Sequence, residues 1–145
     1  MSDVLTLSQI RMPGTARTKD DAIREAGGIL VDVGAVTPEY IDSMFERERS
    51  VSTYMGNYLA IPHGTNESKE SIKRSALSVI RYPEPIDWDG NEVLFALGIA
   101  GYQGGHMDIL SRIAIVFSDT DEADKLVAAQ SAQEIHDLLN AVNEA

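Results

Sequence analysis

The 145-residue sequence contains no cysteine, and basic residues are scarce. The absence of cysteine excludes disulfides, thiolate nucleophiles and cysteine-ligated zinc from this chain. Twelve Lys and Arg side chains stand against 23 Asp and Glu side chains, which gives a formal net charge of −11. This balance opposes binding to nucleic acid, whose phosphates require cationic partners, and docking on an anionic membrane. It is compatible with a basic protein partner, or simply with high solubility.

Long apolar runs are absent as well. No run approaches the roughly 18 to 20 residues that are needed to span a bilayer. The start, Met1-Ser2-Asp3-Val4, also lacks the basic and apolar segments of a signal peptide. We therefore expect a cytoplasmic protein without direct membrane insertion. The length and the 43% hydrophobic content predict one globular domain over residues 1–145.

Capping patterns mark three helix starts. Residues 18–21, Thr-Lys-Asp-Asp, have the form of a capping box, and apolar residues follow at helical spacing up to about Gly34. Thr37-Pro38 places a cap residue before a proline and predicts a second helix. Residues 131–134 form another capping box that opens the last helix. Residues 108–117 also have helical spacing, although their last five residues alone are compatible with a strand.

Short apolar or alternating runs predict the strands. A short strand and a turn are expected within residues 5–17, and further strands at 58–61, 76–82 and 93–98. Prolines and an Asp-Gly pair predict a turn-rich connection between the last two. Helices and strands thus alternate without a linker, which predicts an α/β sandwich with a mixed sheet and helices on both faces. These patterns do not determine the strand order.

His63 stands between Pro62 and Gly64, directly after the apolar run 58–61. Proline cannot donate to a sheet ladder, and glycine permits backbone angles that other residues avoid. The imidazole is therefore predicted at the mouth of a strand, on backbone with little freedom. This is how a reactive group is presented, whereas a core residue is normally packed within an element.

Three other residues are weighed as candidates. His106 closes a glycine-rich link after a predicted strand, where α/β folds gather active-site groups, although an incidental loop histidine is the alternative. Arg47 and Arg49 end the second helix just ahead of the strand that leads to His63. Guanidinium groups hold phosphoryl groups well, but stabilisation of the helix dipole is the alternative. His136 is predicted to be a solvated surface residue.

The sequence lacks the motifs of metal sites, serine nucleophiles and nucleotide-binding sites. There is no His-Glu-x-x-His motif, and His63 and His106 have no third ligand at a recognisable spacing. The Gly-x-Ser-x-Gly elbow and the Walker and Rossmann glycine patterns are also missing. We therefore expect neither a metal nor a cofactor. The chemistry that remains is nucleophilic attack of a histidine nitrogen on phosphorus. An imidazole with an ordinary pKa of about 6.5 is mostly neutral at cytoplasmic pH, so its nitrogen is available for this attack.

The segment Gly56-Asn57-Tyr58-Leu59-Ala60-Ile61-Pro62-His63-Gly64-Thr65 resembles the phosphorylation-site motif of a known family. These are the enzyme IIA proteins of the bacterial sugar phosphotransferase system, in the mannitol/fructose class. The resemblance extends to 46–48 and 53–56 upstream of the motif. Segments 88–91, 99–101 and 106–110 look most like the mannitol branch.

The resemblance implies a phosphotransferase component that acts as a phosphocarrier. His63 would accept phosphate from the histidine-containing phosphocarrier protein and pass it to a cysteine of the mannitol enzyme IIB. His106 matches the family's second active-site histidine and Arg47 its active-site arginine, while Arg49 matches no functional position. Arg47, the His106 imidazole and loop amides are expected to stabilise the phosphoryl charge. The IIB and membrane components are expected on separate chains.

Two alternatives remain open. A regulatory enzyme IIA-like protein of the same fold would use the same phosphohistidine to control partner binding. The mannitol-like segments 88–90 and 99–101 favour sugar transport over that role. A metal-dependent hydrolase using His63 and His106 is disfavoured because a third ligand is lacking.

Overall fold

The structure, a computed structural model, describes residues 4–65, 70–102 and 106–140. Within them lies a mixed five-stranded sheet with helices on both faces, which confirms the predicted α/β sandwich. The strands are β1 (Ile10–Arg11), β2 (Tyr54–Gly56), β3 (Leu59–Ala60), β4 (Ala76–Trp88) and β5 (Asn91–Ala100). The helices are α1 (Lys19–Asp32), α2 (Glu39–Ser50), α3 (His106–Ser118), α4 (Thr120–Ala128) and α5 (Ala132–Leu139). A three-residue 3-10 helix, Leu7–Gln9, precedes β1.

The strand order across the sheet is β1-β4-β5-β3-β2. The outer strand β1 is parallel to β4, and β3 is parallel to β5, while the β4–β5 and β2–β3 pairs are antiparallel. Because β3 and β5 are parallel neighbours, their carboxyl ends open at the same edge of the sheet. The chain that leaves β3 there carries His63, and the chain that leaves β5 leads to His106.

Side-chain alternation along the strands separates two apolar cores. On β5, Phe95, Leu97 and Ile99 pack with the α3, α4 and α5 side, whereas Ala96 and Ala100 pack with the α1 and α2 side. A Cβ at Gly98 would lie 2.5 Å from Ser78 Oγ and 3.1 Å from Ala26 Cβ. The small residues on this face thus let α1 approach the sheet closely.

Two of the predicted caps are confirmed. Thr18 Oγ1 accepts the Asp21 amide at 3.2 Å, and Ser131 Oγ accepts the Glu134 amide at 3.1 Å. The second helix begins one residue later than predicted, at Glu39, because Pro38 stands in the cap position with helical angles (φ −56°, ψ −28°) and has no side-chain donor or acceptor. The patterns missed α4, whose N-terminus is capped by Asp119.

The predicted strand 58–61 is one residue too long at each end. Asn57 and Tyr58 have φ angles of 51° and 66° and form the two-residue turn between β2 and β3. Such turns need positive φ at both positions, which asparagine accepts readily and tyrosine rarely does. The strand itself is Leu59–Ala60, and β2 was not predicted.

The turn-rich connection predicted after residue 82 is also wrong in part. Strand β4 continues through Pro83 and Pro85 to Trp88, and the β4–β5 register is irregular between Arg81 and Ile86. An irregular stretch of ladder tolerates prolines, since they have no amide hydrogen to contribute. The turn is confined to Asp89–Gly90, with φ angles of 55° and 93°.

Glu25 on α1 ties the sheet edge to the helix layer. Its carboxylate, with a side chain only 5% exposed, accepts the Thr15 amide at 3.0 Å and the Thr15, Arg11 and Tyr82 side-chain donors at 2.9 Å. Burial alone would raise its pKa, but these hydrogen bonds outweigh burial and lower the pKa of Glu25 from 4.5 to about 2. The carboxylate is thus stabilised in its charged form.

This depressed pKa predicts a pH-dependent contribution to stability. The difference between 4.5 and about 2 corresponds to about 3 kcal/mol in the free energy of unfolding. Since the unfolded chain takes up the proton first, the contribution is present above pH 4.5 and is lost as the pH falls toward 2. In urea unfolding, Glu25→Gln should have a lower free energy of unfolding than wild type at pH 7. This difference should disappear as the pH falls from 4.5 toward 2. The exposed Glu84→Gln is the control, and a gap independent of pH would contradict the assignment.

Candidate functional site

The structure places His63 at the sheet edge where β3 and β5 end. It follows Ala60 by three positions, forms an isolated parallel bridge with Ile99 of β5, and has a half-buried side chain. The Ile99 amide donates to the Pro62 carbonyl at 3.1 Å. The residue before the imidazole is thereby fixed to a central strand of the sheet.

One ring nitrogen of His63 is held by its own backbone. Nδ1 lies 2.8 Å from the carbonyl oxygen of Ile61. Because a carbonyl oxygen only accepts, Nδ1 carries the hydrogen, and the lone pair of the neutral ring resides on Nε2. The backbone thus selects the tautomer in which Nε2 is the nucleophilic nitrogen.

Two hydroxyl groups of α2 hold the backbone that follows His63. The Gly64 amide donates to the Tyr40 hydroxyl at 2.9 Å, and the Thr65 amide donates to Ser43 Oγ at 2.8 Å. Tyr40 in turn donates to the carbonyl oxygen of Ile99 at 2.6 Å. Two consecutive amides after the imidazole are therefore engaged by a single helix.

Burial keeps the Tyr40 hydroxyl protonated. The residue is 2% exposed, and this burial raises the pKa of Tyr40 to about 12, although the hydrogen bond from Gly64 acts in the opposite direction. Sequence reasoning missed Tyr40 and Ser43. Their three-residue spacing on α2 was the only local sign, and it does not reveal the contact with residues 64 and 65.

Arg47 lies one turn beyond Ser43 and shares its face of α2 by helical spacing. Its guanidinium donates to the Val51 carbonyl oxygen at 2.8 Å, at the carboxyl end of the same helix. The Arg47 residue is partly exposed, and Arg49 is exposed. Arg47 thus lies on the helix that holds residues 64 and 65. Its described hydrogen bond is to the carboxyl end of that same helix.

Glu48 is a buried carboxylate that sequence reasoning missed. It accepts the Thr53 amide at 2.8 Å, the Thr53 hydroxyl at 2.5 Å and the Trp88 indole at 3.3 Å, and it lies 3.6 Å from Lys19 Nζ. The Thr53 carbonyl oxygen accepts the Ile61 amide at 3.1 Å. Glu48 therefore connects the end of α2 to the strand that leads to His63.

The two remaining histidines differ in what the structure describes. His106 is the first residue of α3, six positions after the end of β5, but its side chain and residues 103–105 lie outside the described part of the chain. The predicted approach of His106 to His63 therefore stays a prediction. The side chain of His136 on α5 is 22% exposed, so it is partly buried rather than fully solvated as expected.

Two features are absent from the part of the chain that the structure describes. Over the ranges 4–65, 70–102 and 106–140, no helix has both the length and the apolar character that a membrane crossing requires. Among the side chains described in those ranges, no three His, Cys, Asp or Glu residues are grouped as metal ligands would be.

Comparisons with known proteins agree with this geometry. Residues 3–142 match the family model described as phosphoenolpyruvate-dependent sugar phosphotransferase system, EIIA 2. The chain is 50% identical over 141 residues to the mannitol-specific phosphotransferase enzyme IIA component of Halalkalibacterium halodurans, covering 97% of each chain. It is also similar to two solved Escherichia coli structures. One is the complex of enzyme IIAMTL with phosphorylated enzyme IIBMTL (TM-score 0.88, 30% identity, 94% and 97% of the two chains covered), and the other is the crystal structure of IIA mannitol (TM-score 0.85, 31% identity, 93% and 98% covered).

Proposed function

The chain belongs to the EIIA 2 family of the phosphoenolpyruvate-dependent sugar phosphotransferase system, and we propose that it is the cytoplasmic phosphocarrier of a mannitol permease. Residues 1–145 act as one unit in this proposal. His63 accepts a phosphoryl group from the histidine-containing phosphocarrier protein and passes it to a cysteine of the mannitol enzyme IIB. The name of the 50% identical relative and the complex formed by the Escherichia coli relative with phosphorylated enzyme IIB support this assignment.

The hydrogen bond between His63 Nδ1 and the Ile61 carbonyl oxygen carries the proposal. In the first transfer the Nε2 lone pair attacks phosphorus, and the bond between phosphorus and the donor's histidine nitrogen breaks, its electron pair returning to the donor ring. The phosphorylated His63 ring keeps its Nδ1 hydrogen. The positive charge that then develops on the ring is stabilised by the Ile61 carbonyl oxygen.

The second transfer reverses the role of His63. A thiolate of enzyme IIB attacks phosphorus, and the bond from phosphorus to Nε2 breaks with its electron pair returning to the ring. The leaving group is a neutral imidazole that is already in the tautomer needed for the next cycle. No proton has to move on or off His63 in either step, because Nδ1 retains its hydrogen throughout.

Side chains stabilise the phosphoryl charge in this proposal. The amides of Gly64 and Thr65 already donate to Tyr40 and Ser43, so the expectation that loop amides serve this purpose is not supported at these two positions. Arg47 and His106 remain the proposed groups, Arg47 as a guanidinium that leaves the Val51 carbonyl for the phosphoryl oxygens and His106 as an imidazole N–H donor.

The position of the phosphoryl group tests the proposal. The protein, labelled with 15N in histidine, is incubated with phosphoenolpyruvate, enzyme I and the phosphocarrier protein, and its imidazole nitrogens are followed by long-range 1H–15N correlation. We expect phosphorylation at Nε2 of His63, with Nδ1 still bearing its hydrogen. Phosphate at Nδ1, or on another residue, would contradict the assigned tautomer.

Arg47→Ala is expected to slow both transfers about 100- to 1,000-fold, which is typical when one donor to a developing charge is removed. Arg49→Ala is the matched control, since it removes the same charge from the exposed face of the same helix and should transfer at the wild-type rate. His106→Ala should also slow transfer while the fold is retained. Rapid-quench measurement of labelled phosphate checks these rates, and equal rates for the Arg47 and Arg49 variants would remove Arg47 from the site.

A further inference from the structure

We propose that Tyr40 is a positioning residue for phosphoryl transfer, because its hydroxyl is inserted between the strand extension that carries His63 and the neighbouring strand β5. This inference rests on the proposed function of His63 as the carrier. The Tyr40 hydroxyl bonds to the backbone at Gly64 and at Ile99, and it acts on the reaction through the position of His63.

The Tyr40 hydroxyl takes part in the parallel pairing of His63 with Ile99. In such a pairing, the Ile99 amide donates to the Pro62 carbonyl oxygen, and the Gly64 amide faces the Ile99 carbonyl oxygen. The first bond is present at 3.1 Å. At the second position, the Gly64 amide donates to the Tyr40 hydroxyl at 2.9 Å, and Tyr40 donates to the Ile99 carbonyl oxygen at 2.6 Å. The pairing is therefore direct before His63, whereas after it one hydroxyl bonds to both facing backbone groups.

The Tyr40 side chain is buried, and its hydroxyl is protonated near neutral pH. Tyr40 is 2% exposed and packs in the core on the α1 and α2 side of the sheet, and its raised pKa of about 12 keeps the donated hydrogen in place. Ser43, one turn further along α2, holds the next amide at 2.8 Å. The separation of the His63 segment from β5 is thus set by α2, an element of the opposite layer from α3.

Geometry of this kind matters because phosphoryl transfer depends mainly on in-line alignment. A displacement of about 1 Å in a reacting group can cost about 100-fold in rate. Without the hydroxyl, the Gly64 amide and the Ile99 carbonyl oxygen lose the group that bonds to both, and the segment that carries His63 can shift relative to β5. The two backbone groups face each other and can then bond directly, so the loss should appear in the rate of transfer more than in stability.

Tyr40→Phe is the direct test, and Tyr82→Phe is its matched control. Tyr82 is also fully buried, and its hydroxyl donates to a single acceptor, Glu25, at 2.9 Å, on α1 rather than at the His63 segment. We expect Tyr40→Phe to lower the rate of phosphorylation about 10- to 100-fold. Tyr82→Phe should transfer at the wild-type rate even if it melts at a lower temperature. Equal rates for the two variants would overturn the proposal.

A second readout separates this inference from the proposed function. In 1H–15N spectra of the unphosphorylated protein, Tyr40→Phe should shift the Gly64 amide and the His63 ring nitrogens, while Tyr82→Phe leaves them unchanged. Ser43→Ala, which keeps Tyr40, should slow transfer as well because it releases Thr65 from the same helix. If wild-type protein accepts no phosphate on His63, the proposed function fails, whereas unshifted Gly64 and His63 signals in Tyr40→Phe overturn the role of Tyr40 alone.

Discussion

His63→Ala is expected to abolish phosphorylation, with the rate falling by at least about 10³-fold, as is typical when a covalent nucleophile is removed. The physical reason is that, in the proposed function, the phosphoryl group forms its bond to Nε2 of His63, which the variant lacks. Intact mass after incubation with phosphoenolpyruvate, enzyme I and the phosphocarrier protein should show one phosphoryl group on wild type and none on the variant. The wild-type label should be labile to acid, as expected for a phosphohistidine.

His136→Ala is the control for this experiment. It removes the same side chain from α5, which contacts β1, a strand that β4 and β5 separate from β3 in the sheet. Full phosphorylation of this variant is expected. An acid-labile phosphoryl group on His63→Ala would assign the carrier role to another histidine and contradict the proposed site.

Glu48→Ala should be the most destabilising of the single substitutions considered. It removes the common acceptor of the Thr53 amide, the Thr53 hydroxyl and the Trp88 indole, and it leaves these buried donors without their carboxylate. Each unsatisfied buried donor costs about 1–3 kcal/mol. A loss of about 3–5 kcal/mol in the free energy of unfolding follows, measured by urea denaturation at pH 7 with the slope unchanged.

Glu46→Ala is the matched control for Glu48, since it removes an exposed carboxylate two positions earlier on the same helix. Its free energy of unfolding should stay within about 0.5 kcal/mol of wild type. The loss for Glu48→Gln should lie between those for Glu48→Ala and Glu46→Ala, because an amide oxygen still accepts one or two of the three hydrogen bonds. A loss for Glu48→Ala no larger than that for Glu46→Ala would show that the buried network does not stabilise the fold.

The features that could be predicted from the sequence are those with local causes. The caps at Thr18 and Ser131 depend on residues three positions away, and the position of His63 follows from its neighbours Pro62 and Gly64. Predictions from local sequence patterns were wrong where a residue distant in the sequence determines the structure. Strand β4 passes through two prolines because β5 provides a long antiparallel partner on either side of the irregular stretch.

The supporting residues of the site illustrate the same limit. Tyr40 reaches Ile99 across 59 positions, and Glu48 reaches Trp88 across 40. In the sequence, Tyr40 belongs to an ordinary amphipathic helix, and Glu48 is one of several charges at its end. Only the strand order, which the sequence patterns do not determine, brings β5 and the extension of β3 together under α2. The position of His63 was therefore predictable, whereas the groups that hold it were not.

Delivery of the phosphoryl group to enzyme IIB tests the central claim most directly. Labelled phosphoprotein is isolated free of the donor and mixed in a single turnover with the mannitol enzyme IIB, or with the same IIB bearing serine in place of its active-site cysteine. We predict that the label leaves His63 and appears on the cysteine of the unaltered IIB. Label that stays on His63 with both IIB proteins would contradict the carrier function and favour the regulatory role.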